Sequence, residues 1–202
     1  MRCCRLVDVK VGVLALQGNV SEHIDAFRLA LKRMGHGTSS DVFEVRHPEE
    51  LGGCNALAIP GGESTTISRL IDKNRMYEPI RSFNGGIFAT CAGMVLMATH
   101  VDDTRIHTLG LIDMTVDRNA FGRQRESFEA DLPIKGLGGG RFHAVFIRAP
   151  VATFAGAGVT VLSRMEQGII AVEYGKHMAL SFHPELSVDT RLHERFLKKL
   201  GV

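Results

Sequence analysis

The chain has 202 residues, 45% hydrophobic and 23% charged, a balance that excludes a disordered or collagen-like protein and fits an ordinary globular one. Its 24 Lys and Arg against 22 Asp and Glu leave a net charge of +2, and the charges are scattered, so neither a nucleic-acid stripe nor a polybasic membrane patch is expected. A chain of this length buries about 70% of its unfolded surface, enough for a core without disulfide or metal staples, and residues 1–202 read as a single domain with its core at about 11–200.

Cys3, Cys4, Cys54 and Cys91 are irregularly spaced and form no CxxC pair, which speaks against a disulfide framework or a zinc site and for a reducing compartment. The basic start Met1–Arg5 runs into a stretch broken by Asp8 and Lys10, unlike a signal peptide, and residue 2 is not the glycine that myristoylation needs. No apolar run approaches the roughly 20 residues of a bilayer span. A cytoplasmic protein without a membrane partner is expected.

Val11–Leu16 is apolar throughout, as in a parallel strand covered on both faces. Asn19 followed by Glu22 reads as a capping-box start, and Ile24, Phe27, Leu31 and Met34 then recur at helical spacing up to Gly35. Strands at 42–45 and 56–59, a helix from Ser64 to about Lys73 and a strand at 87–89 continue the alternation, so the first half reads as doubly wound. The second half is richer in strands, at 111–116, 142–147, 159–162, 169–173 and 178–182, some of them antiparallel, before an amphipathic helix carrying Val188, Leu192, Phe196 and Leu200. The glycine-rich loop 136–140 precedes a strand, not a helix, and so reads as a plain turn. Together these give a three-layer α/β/α fold with a mixed, mostly parallel open sheet, flavodoxin-like in type.

Three segments carry chemistry. Ile87 to Met97 is a buried strand, a tight turn holding Cys91, and an apolar helix, the layout of a nucleophile elbow with Cys in place of Ser. A thiol at a helix start feels the positive end of the dipole and unpaired N–H groups, which favour thiolate and stabilise an oxyanion. Met178 to Glu185 is a strand ending in His183 and Glu185; residues two apart in extended backbone share a side, so Glu185 can hold the His183 ring while its other nitrogen faces a thiol. Pro60-Gly61-Gly62-Glu63-Ser64 ends a strand with two glycines that let backbone approach a ligand, with Ser64 as the expected N-cap. Each segment alone also fits a bland role: a buried cysteine, a hydrogen-bonded surface histidine, a strand-to-helix turn.

The order PGGES, TCAG, SFHPE resembles the class I, triad-type glutamine amidotransferases, and LALQGNVSEH, PGGESTTI, RNAFGRQ and FIRAP resemble their glutaminase-subunit branch in pyridoxal 5′-phosphate synthesis. The resemblance implies that Cys91 is the nucleophile, His183 the general base and acid, and Glu185 its orienter. It implies an L-glutamine site from Gly62, Glu63, Ser64, Arg118, Ile147 and Arg148, and an oxyanion hole from Ala92 and the Gly61-Gly62 turn. It further implies a synthase subunit as protein partner in a hetero-oligomer, with Gln17 at the interface and docking of the partner ordering the hole, and no metal or organic cofactor. Another triad amidotransferase subunit with a different acceptor, or a catalytically silent relative, are the alternatives; intact Cys91, His183 and Glu185 argue against the second. One departure stands out: Ala89 occupies a position where the family's elbow carries glycine, so its methyl must fit against the elbow helix.

Overall fold

The computed structural model describes residues 9–36, 40–121 and 127–202. Cys3, Cys4, residues 37–39 and the end of the RNAFGRQ segment lie outside them.

The first half alternates as the pattern predicts. It comprises β1 (Lys10–Leu14), α1 (Val20–Arg33), β2 (Asp41–Val45), β3 (Ala56–Ile59), α2 (Ser64–Lys73), α3 (Tyr77–Arg81), β4 (Gly86–Thr90), α4 (Ala92–Met97) and β5 (Ala98–Val101). The second half holds β6 (Ile112–Asp117), β7 (Ser127–Leu132), β8 (Phe142–Ile147), β9 (Val151–Ala155), β10 (Thr160–Met165), β11 (Gly168–Tyr174), β12 (His177–Leu180) and α5 (Arg191–Lys199).

Ten strands form one sheet in the order β2-β1-β3-β4-β12-β11-β9-β6-β5, with β10 alongside β11. From β2 to β12 all neighbours are parallel; β11 then runs antiparallel to β12, β9 and β10, and β6 antiparallel to β9. The hairpin β7-β8 stands as a separate two-stranded sheet. The parallel strands are apolar at successive positions because both faces are covered. Val11, Val13, Ala56, Ala58, Phe88, Met178 and Leu180 pack with Phe27, Leu31, Leu192 and Phe196 of α1 and α5. Leu14, Leu57, Ile59, Ile87, Ala89 and Ala179 pack on the opposite face with Ile67, Ile71 and Leu96 of α2 and α4. This period-two split of each strand between two helix layers makes the α/β/α sandwich.

Three local expectations are corrected. Asn19 is the N-cap of α1 but makes no side-chain cap bond; its amide turns to Glu185 instead. Glu63, not Ser64, caps α2, accepting from the Thr65 and Thr66 N–H groups, because a carboxylate reaches two orphan donors and gains from the helix dipole. Val188 lies outside α5 and is 80% exposed; its four-residue spacing from Leu192 coincides with the helical period without belonging to it. Strands β5, β7 and β9 and the short α3 were not foreseen. β7 alternates exposed and half-buried positions, α3 is five residues long with a proline, and β5 follows α4 without a turn residue.

Candidate active site

Parallel strands deliver their carboxyl ends to one edge, the place where open α/β sheets bind ligands. The four neighbours β1, β3, β4 and β12 end at Gln17 to Asn19, at Pro60 to Glu63, at Cys91 and at His183 to Glu185. Sequence separations of up to 166 residues collapse there, as the contact between Asn19 and Glu185 shows.

Cys91 follows β4 with φ 48° and ψ −107° and is the N-cap residue of α4. Its N–H donates to the Leu180 carbonyl at 2.8 Å, tying the elbow to β12. Among the described residues the non-glycine positions with positive φ are Arg75, Cys91 and Arg148, and the last two line the same cleft. Strained backbone of this kind persists where the surroundings over-determine it. Ala89 causes no conflict: it sits in regular strand backbone paired with Ile59 and Ala179 and is fully buried. Gly93 supplies the room for its methyl, since a Cβ there would fall 3.2 Å from that of Ala89 and 2.4 Å from the Ile59 carbonyl.

His183 Nδ1 is 2.6 Å from Glu185 Oε1, and the ring shares the cleft lining with Cys91. Burial disfavours the imidazolium, but the influence of Cys91 and Glu185 on the ring outweighs it and pushes the His183 pKa up to about 10. Burial likewise works against an ionised Glu185, yet His23 and His183 hold its carboxyl down to about 2. These opposed shifts describe a charged pair stabilised by its own geometry. By contrast, burial pushes the Cys54 thiol up to about 11, which keeps it an unreactive thiol.

The cleft in front of the pair measures about 430 Å3, within the range of small-molecule sites. Its lining includes Gly61, Gly62, Glu63, Ser64, Cys91, Ala92, Arg118, Ile147, Arg148 and His183, every sequence-derived site residue except Gln17 and Glu185. Glu185 lies behind His183, fully buried at its side chain. The Ile147 carbonyl is 3.6 Å from the Cys91 thiol. Gln17 stands behind the glycine turn, its Oε1 accepting the Glu63 N–H at 3.1 Å.

Two expected roles change in detail. The Gly61 N–H donates to Thr90 Oγ1 at 3.1 Å, so it is not the donor left for an oxyanion. Arg118 pairs with Asp103 and, at 3.4 Å, with Glu63. Glu63 is further engaged by the Thr65 and Thr66 N–H groups and hydroxyls, which, against a desolvation cost, hold its carboxyl down to about 2. Both residues line the cleft as members of a network rather than as lone charges. Sequence reasoning missed Asn19, Asn119, Val95 and Pro150 in the lining and Thr90 and His23 beneath it. The available signal was a histidine inside the apolar stripe of α1.

Residues 13–201 match the SNO glutamine amidotransferase family. The chain is 72% identical over 194 residues to pyridoxal 5′-phosphate synthase subunit PdxT of Methanoregula boonei, covering 96% of this chain and 100% of that one. It is 46% identical over 196 residues to the protein of the same name from Shouchella clausii, covering 96% of each. Its structure is similar to a crystal structure of a glutamine amidotransferase, with TM-score 0.83 and 46% identity over 95% of this chain and 99% of that one. Likeness of fold alone extends to the glutaminase domain of Trypanosoma brucei CTPS with bound acivicin, with TM-score 0.58 and 12% identity over 96% and 94% of the two chains.

Proposed function

The chain belongs to the SNO glutamine amidotransferase family, and from that premise we propose that Cys91, His183 and Glu185 form the triad with which it releases ammonia from L-glutamine as the glutaminase subunit of pyridoxal 5′-phosphate synthase. The observation that carries this reading is that Cys91 and His183 line the same cleft, with His183 Nδ1 held at 2.6 Å by the buried Glu185 carboxylate behind it. The family match over residues 13–201 supports reading the chain as one amidotransferase unit.

The Cys91 sulfur attacks the side-chain amide carbon of glutamine, and the developing oxyanion is met by the Ala92 N–H, one of the donors a helix start leaves unused, and by the Gly62 amide. His183 as imidazolium gives its proton to the departing nitrogen, which leaves as ammonia, and a glutamyl thioester remains on Cys91. His183, now neutral, takes a proton from water; the hydroxide adds to the thioester carbonyl, glutamate leaves, and the proton returns to the Cys91–His183 pair. Glu185 fixes the tautomer and orientation of the ring and stabilises its charged form without accepting the proton. Arg148 and Arg118 are the cations for the α-carboxylate of a zwitterionic substrate, with Glu63 and Ser64 in the same cleft lining.

The partner reading comes from the relatives, whose name designates them synthase subunits. Gln17 fits a gating role: its side chain props the glycine turn from outside the cleft, where a docked subunit can reposition it. No described helix is long and apolar enough to cross a membrane. The test is to mix the chain with a synthase subunit and glutamine and to follow glutamate, ammonia and pyridoxal 5′-phosphate. Glutamate production that rises on mixing, vanishes in Cys91→Ala and is blunted in Gln17→Ala is the expected result. A Cys91→Ala variant with normal turnover would overturn the triad.

A further inference from the structure

His23 occupies the apolar face of α1 with Ala26, Phe27, Ala30 and Leu31 and is fully buried. A buried imidazole is costly unless its polar atoms are satisfied. Its Nε2 lies 3.1 Å from Thr90 Oγ1 and 3.5 Å from Glu185 Oε1, whereas Nδ1 has no hydrogen-bond partner among the described residues. A neutral ring carries one N–H. On Nδ1 that hydrogen would be a buried donor without an acceptor, the rarest kind of orphan; on Nε2 it faces a carboxylate oxygen and a hydroxyl.

The two neighbours of Nε2 both belong to the active-site edge. Glu185 Oε1 is the oxygen that holds His183 Nδ1 at 2.6 Å, and Glu185 Oε2 is buried with no hydrogen-bond partner among the described residues. The orientation of this carboxylate therefore depends on what is gathered at Oε1: the hydrogen bonds from His183 and, at 3.4 Å, the Asn19 amide, with the His23 ring 3.5 Å away. Thr90 Oγ1 accepts the Gly61 N–H at 3.1 Å, so the same imidazole also touches the group that anchors the glycine turn.

We propose that His23 is a positioning residue of the glutaminase reaction, its neutral ring bonded to Thr90 and packed against the Glu185 carboxylate so that it keeps that carboxylate toward His183 and ties it to the Gly61-Gly62 turn. This inference rests on the triad reading above. The charged and titratable groups acting on the ring are Glu185 and His183 beyond β12, His193 of α5 and Glu22 of its own helix. Burial, assisted by His183, keeps the ring neutral against the pull of Glu185 and Glu22. Loss of the Nε2 donor removes one support from a buried carboxylate, which then protonates at higher pH and aligns His183 less well.

The experiment uses the full chain with its synthase subunit and measures glutaminase kcat, KM and pH profile for His23→Leu, His23→Gln and Cys91→Ala. The loss of the Thr90 hydrogen bond and of the polar neighbour of the buried Glu185 carboxylate is expected to lower kcat of His23→Leu about 10- to 100-fold with KM nearly unchanged. The acid limb of its profile should move to higher pH. His23→Gln, whose amide still offers a donor, should recover most of the rate. A His23→Leu variant matching wild type in kcat and acid limb, with Cys91→Ala inactive, overturns the role of His23 and leaves the triad standing; an active Cys91→Ala overturns the triad reading itself. Nitrogen-15 NMR of the histidine rings in the unmodified protein gives a second readout that needs no variant to fold. A neutral Nε2–H ring for His23 from about pH 5.5 to 8.5 is expected, and a protonated ring or an Nδ1–H tautomer refutes the assignment.

Discussion

Gly61→Ala is the sharpest perturbation of the candidate site, because the added methyl enters the triad directly. An ideal Cβ at Gly61 would lie 2.4 Å from His183 Cε1 and 3.0 Å from the Cys91 Cβ, where ordinary contact begins at 3.4 Å. Something must therefore give by about 1 Å. The turn cannot retreat, since its other side is packed on Gly18, whose own Cβ would fall 1.8 Å from the Gly61 carbonyl oxygen. The ring is held as well, by the 2.6 Å contact to Glu185 and by the His183 N–H donated to the Val145 carbonyl at 2.8 Å. Overpacking of this kind costs about 1–3 kcal/mol of stability, and a displacement of about 1 Å in a reacting group costs on the order of 100-fold in rate. The assay is glutamate release at saturating glutamine with the synthase subunit present, alongside thermal unfolding. Gly52→Ala serves as the control, since nothing lies within 4 Å of a Cβ there. A Gly61→Ala protein with kcat within about threefold of wild type and an unchanged Tm would refute the geometry on which the triad reading stands.

Arg148→Ala and Arg118→Ala should each raise KM for glutamine by roughly tenfold or more, measured by steady-state glutaminase kinetics; Arg118→Ala also releases Glu63 and Asp103 from their ion pairs. Glu185→Gln keeps the shape of the orienter but removes the charge that supports the His183 imidazolium, so the raised His183 pKa should fall; the pH profile of Cys91 alkylation by a glutamine-like electrophile reads this directly. Glu63→Ala removes the N-cap of α2 and should cost about 1 kcal/mol in denaturant unfolding. His193 is fully buried with both ring nitrogens lacking hydrogen-bond partners among the described residues, and burial pushes its pKa down to about 3. A folded-state value depressed below the ordinary 6.5 means the unfolded chain binds the proton first, so this group's contribution is lost as pH falls below 6.5 toward 3. His193→Leu should raise Tm and flatten the acid side of the stability profile in calorimetry.

Much of this protein was legible along the chain because its chemistry is local at three places. Cys91 announces itself through the strand, turn and helix around it, His183 and Glu185 through their spacing at a strand end, and Gly61-Gly62 through a turn only small residues permit. Continuous apolar runs at 11–16, 56–59 and 87–89 fixed the covered parallel strands, since burial on both faces leaves no polar alternation to mislead the reading. What pairing of distant segments decides could not be read in this way. The Gly61 amide is spent on Thr90, and Glu63 caps a helix while pairing with Arg118, because a polar group binds whichever donor or acceptor the fold brings nearest. The same holds for His23 and Asn19: both sit in a helix start that looks self-contained, and only the parallel placement of β1, β3, β4 and β12 sets them against Glu185. Local propensity acts over a few residues, whereas the sheet order that joins Asn19 to Glu185 is chosen by the packing of two complete apolar faces, and that choice exists only in the tertiary structure.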